Sequence, residues 1–187
     1  MAAEVAMHHL DLAERPAPDE YAQPYAGYVG AVPEGDILVT LEREGERALA
    51  FLRAVPHGLI DRSYAPGKWT VRQVVAHVND AERVFAYRAL TFGRGDGSPL
   101  PGFDQEMWMP RSRASVRAWE DLLDEFRVVR AATLHLLRSF DAEAWRAVGI
   151  ASGYPVGVRA LAWIAAGHEL HHRRVLAERY GLGGPGA

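Results

Sequence analysis

Gly167-His168-Glu169-Leu170-His171-His172 sits inside an apolar run that begins near Val158 and ends at Tyr180-Gly181. Wound as an α-helix of about 3.6 residues per turn, the run places Leu161, Ala165, His168, His172, Val175 and Arg179 along one stripe. His168 and His172 straddle the centre of that stripe. Side chains at i and i+4 stand about 6 Å apart at Cβ, close enough for two imidazoles to share one ion. His171 falls on one edge of the stripe and Glu169 on the other, places suited to supporting or surface roles.

Two histidines in an apolar stripe need an account, because a buried imidazole without partners loses hydrogen bonds it would keep in water. Hydrogen-bonded core histidines are one reading; a metal site is the other, provided a third donor exists. His77 can supply it. It lies on the rim of the apolar face of a helix that can oppose the C-terminal one across a bundle. Three neutral nitrogens around a divalent ion leave a coordination position open, the arrangement of a catalytic rather than a sealed structural site.

The chain has 187 residues, enough for one domain with a sizeable core, and 49% of them are hydrophobic. It contains no cysteine, which excludes disulfides, thiolate ligands and a cysteine nucleophile. Any thiol chemistry must therefore bring its sulfur on a small molecule. A formal charge of -3 argues against nucleic-acid binding, which usually needs a basic face. No apolar run is long enough to span a bilayer and no signal-peptide pattern opens the chain, so a cytoplasmic protein without membrane contact is expected.

Residues 1–33 read as an N-terminal arm, since Pro16, Pro18, Pro24 and Pro33 forbid a long helix while Tyr21, Tyr25 and Tyr28 favour packing on the body. His8 and His9 within it are expected in solvent. Residues 34–182 carry four amphipathic segments, and 183–187 form a short tail. Helix one is expected from Asp36 to Pro56, with Gly45 a weak point worth about 1 kcal/mol. Thr70, three residues before Gln73, is a capping box that opens helix two, which runs to about Phe92, with His77 at the edge of its buried face and Glu82 projecting into it. Helix three spans about Ser115 to Phe140, with Val116 inside and Arg130 on the polar side. His135 is expected at the surface. Residues Pro155 to Val158 open helix four, Gly181 closes it, and Trp163 and Leu170 form an apolar back that suits either a dimer seam or the arm. The long, Gly- and Pro-rich connection from Phe92 to Arg111 either is functional or spans the bundle between helices running the same way. Phe103 and Trp108 in it are the expected substrate contacts. With no strand pattern and no repeat, the simplest architecture is an all-α four-helix bundle.

Tyr64-Ala65-Pro66-Gly67-Lys68-Trp69-Thr70-Val71-Arg72 leading to His77, then Asp80-Ala81-Glu82-Arg83, then Gly167 to His172, resemble the DinB-like metal-binding bundles. The resemblance extends from about Tyr28 to Tyr180. It implies an up-down-down-up four-helix bundle, a homodimer, and a divalent cation held by His77, His168 and His172. Zinc or nickel is the expected metal, with iron or manganese also compatible. It further implies a small-molecule substrate and kinship with enzymes that join bacillithiol or mycothiol to electrophiles. A divalent ion with an open position would activate such a thiol, or a water, at neutral pH. Glu82 either orients a ligand or forms a core ion pair with an arginine.

His168-Glu169-Leu170-His171-His172 also matches the H-E-x-x-H pattern of zinc proteases. Those enzymes draw a third ligand from downstream, and no histidine follows His172. The expected function is therefore a metal-dependent thiol S-transferase or a hydrolase using metal-bound water. A non-catalytic, dimeric, metal-binding stress-response protein is the alternative.

Overall fold

The computed structural model describes residues 14–183, so His8, His9 and most of the short tail lie outside the described residues. Four long helices form the body: α2 (Ile37–Arg53), α3 (Val71–Gly93), α4 (Trp119–Arg138) and α6 (Val158–Tyr180). The short α1 (Ala26–Ala31) precedes them. Between α4 and α6 lie α5 (Ala142–Arg146) and a hairpin of β1 (Val148–Ala151) and β2 (Tyr154–Gly157).

Local chemistry sets the helix ends. The Asp36 carboxylate accepts from the amides of Leu38 and Val39 at the start of α2. In α3 the capping box is complete: Gln73 N donates to Thr70 Oγ1 at 3.3 Å and Thr70 N to Gln73 Oε1 at 2.9 Å. Each such cap stabilises its helix by about 1 kcal/mol. Gly181 ends α6 in the left-handed region at φ 66°, where a side chain would be strained.

Two apolar clusters fix the direction of every helix. One unites Ile37 and Leu41 at the start of α2, Phe85 and Phe92 late in α3, Leu137 and Phe140 at the end of α4, and Leu161 and Ile164 early in α6. The other unites Leu52 at the end of α2, Val71 and Val75 early in α3, Trp119 and Leu122 early in α4, and Leu176 and Tyr180 late in α6. The helices therefore run up, down, down and up. Because α3 and α4 are parallel, their connection must travel the length of the bundle. It does so with Phe103 against the first cluster and Met109 inside the second.

Several expectations change. Residues 148–157 are a β-hairpin, where no strand pattern is expected and Pro155 is expected to open a helix. The strands have four residues each, too short for a two-residue period to register, and the turn is made by Ser152 and Gly153 at φ 55° and 83°. Pro155 thus lies in β2, and α6 opens at Val158. Leu100 pairs with this hairpin, its N donating to Ile150 O at 2.8 Å and its O accepting from Ser152 N at 3.0 Å. Val116 is exposed, because α4 begins only at Trp119.

The back of α6 is covered at Trp163, while Leu170 is half-buried. Trp163 is fully buried, with the Arg15 guanidinium 4.8 Å over its ring, and Arg15 donates to the carbonyls of Val29 and Val32. A Cβ on Gly167 would overlap the Tyr28 carbonyl, so glycine is what lets α1 lie directly on α6. With Val29 and Val32 buried in the first cluster, the end of the arm is part of the core, and Trp163 offers no seam to a second copy.

Candidate metal centre

Residue 77 lies two turns into α3, and residues 168 and 172 are one turn apart on the antiparallel α6, so three imidazoles meet across one helix pair. His168 Nε2 stands 3.0 Å from His77 Nε2 and 3.1 Å from His172 Nε2. One donor nitrogen from each of the three rings lies within 4.8 Å of the others. His77 and His168 are buried and His172 is half-buried.

Aromatic side chains hold the rings. Tyr28 meets His168 edge-on at 5.4 Å between centroids, Phe85 does so at 5.6 Å, and Trp69 lies 4.9 Å from His77. Burial pushes the His77 pKa down to about 4 and is the main cause that lowers His172 to about 3, with His77 and His171 adding repulsion. His168 is driven well below the ordinary value, first by burial and then by the neighbouring rings. All three are therefore neutral at pH 7. Neutral rings cannot satisfy this arrangement alone: the Nε2 of His168 faces two nitrogens, but it carries a single proton or a single lone pair. A divalent ion resolves the conflict. With metal–nitrogen bonds of about 2.1 Å, adjacent ligands at tetrahedral to octahedral angles are about 3.0–3.4 Å apart.

His171 is close to the centre without joining it. Its ring packs 5.1 Å from His172 and 5.3 Å from Tyr28, and its nitrogens lie outside the convergent set. His135 is exposed on α4. Phe103 and Trp108 stack on each other at 5.0 Å, and neither lines the cavity beside His172.

Glu82 takes the ion-pair reading. Arg130 forks its carboxylate at 2.8 and 2.9 Å and donates a third bond to Leu41 O at 2.8 Å. Arg130 had been expected on the polar side of its helix, but it is 4% exposed. A carboxylate on the facing helix draws the guanidinium inward, an effect that the periodicity of one helix cannot reveal. Its trace in the sequence is Gly45, whose missing side chain leaves room for Arg130.

Glu169 is the second buried carboxylate. Both its oxygens lack a hydrogen-bond partner among the described residues, and Arg173 Nε stands 3.6 Å from Oε1, an ion pair beyond hydrogen-bond reach. Burial raises its pKa to about 7 against the pull of Arg173 and Arg130. Together with His172, Phe51, Val78, Phe126 and Leu176, it lines a cavity of about 20 Å³, enough for one water. Arg173 also reaches Glu44 at 2.6 Å, tying α6 to α2. Arg173 and Tyr28 are site residues that the helical period alone did not single out.

Known proteins resemble this chain in sequence and in fold. The profile of the DinB superfamily matches residues 40–176, which contain all three convergent histidines. A protein of Oceanobacillus iheyensis, whose name assigns it provisionally to the metal-dependent hydrolases, is 31% identical over 122 residues, covering 60% of this chain and 65% of that protein. The match thus spans just under two thirds of that relative's length. Bacillus subtilis YfiT, titled a probable metal-dependent hydrolase with an unusual four-helix bundle topology, superposes with a TM-score of 0.70 at 16% identity, covering 91% of this chain and 95% of YfiT. Among the described residues no helix is long and apolar enough to cross a membrane. The family match takes in most of the body and both helices that carry the histidines, and the chain belongs to the DinB superfamily.

Proposed function

We propose that the protein is a metal-dependent hydrolase in which His77, His168 and His172 hold one divalent cation. The observation that carries the reading is the convergence of three neutral Nε2 atoms, two of the separations being 3.0 and 3.1 Å. The names of the Oceanobacillus relative and of YfiT support it. When bound, such a cation supplies a Lewis acid that lowers the pKa of a coordinated water or thiol towards neutrality.

The chain's own residues prepare the site. Tyr28, Trp69 and Phe85 pack against His77 and His168, the two buried rings, where electrostatic interactions are stronger than at the surface. The Glu82–Arg130 pair locks α3 to α4 one turn beyond His77 and fixes that ring's height in the bundle. Zinc and nickel are the first metals to try, with iron and manganese next.

The thiol S-transferase reading keeps one support, the absence of cysteine: a sulfur nucleophile would have to arrive on a low-molecular-weight co-substrate. A single screen separates the readings. Metal-loaded protein is offered activated esters and amides, and separately bacillithiol, mycothiol or glutathione with model electrophiles. Metal-dependent hydrolysis without thiol supports the proposal, and acceleration only with thiol favours the transferase. No turnover in either arm favours the non-catalytic metal-binding stress protein, for which a homodimer remains the expected state.

A further inference from the structure

Two side chains are shared by the cavity beside His172 and a groove on the surface of the bundle. Between α2 and α6 runs a groove of about 1220 Å³ with Ala50, Ala54, Leu59 and Leu170 among its apolar lining. Phe51 and Arg173 line both this groove and the cavity that touches His172 and Glu169. At about 20 Å³ the cavity admits a water-sized group, whereas the groove has room for a small organic molecule.

The charge of the groove comes down to one arginine without a carboxylate contact among the described residues. Arg47, Arg173 and Arg174 line it against a single lining carboxylate, Glu178. Arg47 and Arg173 are engaged by Glu44 at 2.9 and 2.6 Å. Arg174 is exposed, and among the described residues no carboxylate is in ion-pair contact with it. An apolar floor with a guanidinium left unpaired at its rim matches an amphipathic anion.

We infer that the α2–α6 groove binds a small amphipathic carboxylate, its anionic head on Arg174 and its apolar chain along the floor towards Phe51. Resting on the hydrolase reading, this makes the groove the way in to His172, with Phe51 and Arg173 as the gate. On this reading a bound chain that advances towards His172 passes Phe51 and Arg173. Binding in the groove itself needs no metal, so the two readings fail separately.

The test uses the full chain, with and without metal, titrated calorimetrically with octanoate, octanol and octylamine. Octanoate is expected to bind tightest in both forms, and Arg174→Glu to weaken it by about tenfold or more while leaving octanol unchanged. Ala54→Trp, which fills the floor, should weaken octanoate and octanol alike, with helical content and metal content unaltered. Equal binding of octanoate and octylamine, an unaffected Arg174→Glu, or no binding at all would overturn the inference. So would octanoate affinity that falls as protein concentration rises, since a second copy would then occupy the groove. Octanoate binding in a protein that takes up no metal would sustain the groove and remove the hydrolase reading.

Discussion

The side chain of Arg130 occupies the space that a Cβ on Gly45 would need: a methyl there would lie 3.1 Å from both Cγ and Nη1 of the arginine. Arg130 cannot easily yield, because its guanidinium is held by Glu82 and by Leu41 O. The glycine in α2 is therefore the passage through which a cation from α4 reaches a carboxylate on α3. Gly45→Ala gains about 1 kcal/mol of helix propensity and still lowers stability, because the crowding outweighs the gain. Chemical denaturation of Gly45→Ala, compared with Gly27→Ala where nothing lies near the added methyl, measures the difference.

The same pair predicts an asymmetry between single and double variants. Glu82→Leu or Arg130→Met alone leaves one buried charge unpaired and should cost about 3–5 kcal/mol. The double variant should recover most of that loss, since two apolar groups replace both charges. Denaturant midpoints of all four proteins give the coupling energy directly.

Much of this was legible in the sequence, for reasons particular to each element. Thr70 and Gln73, Asp36 and Gly181 mark helix ends through local hydrogen bonds and backbone preference, which three or four residues specify. His168 and His172 declare themselves because one helix fixes their spacing. The hairpin did not show, because its strands are short and its turn is Ser-Gly instead of Asn-Gly. The inward turn of Arg130 and the burial of Trp163 depend on partners 48 and 148 residues away, Glu82 and Arg15, and no local pattern records them.

Gly167 reports on the arm. A methyl at this position would overlap the backbone of Tyr28, and backbone cannot move as a side chain can. Gly167→Ala should displace α1 from α6, cost more than about 2 kcal/mol and unseat Tyr28 from His168. Faster hydrogen exchange at Val29 and Val32, with α4 unchanged, is the expected signature.

Proton linkage in the metal-free protein works in two opposing directions. His77 and His172 titrate near 4 and 3 in the fold and near 6.5 when unfolded, so their contribution is complete above pH 6.5 and is lost as pH falls towards those values. Glu169 titrates near 7 in the fold against an ordinary 4.5, so its contribution is complete below pH 4.5 and is lost as pH rises through about 7. Each proton changes stability by up to about 1.4 kcal/mol per pH unit within its window. Thermal melts should therefore show Glu169→Gln more stable relative to the parent at pH 8 than at pH 5. An equal offset at both pH values would contradict the assignment.

Metal stoichiometry tests the centre most directly. Each of His77→Ala, His168→Ala and His172→Ala, together with His171→Ala and His135→Ala, is titrated with zinc and its bound metal counted by elemental analysis. One zinc per chain is predicted for the parent and for the His171 and His135 variants. Affinity should fall by more than about 100-fold in each of the other three, beyond the loss that supporting residues cause. If His171→Ala loses the ion while His172→Ala keeps it, the three converging rings are not the site.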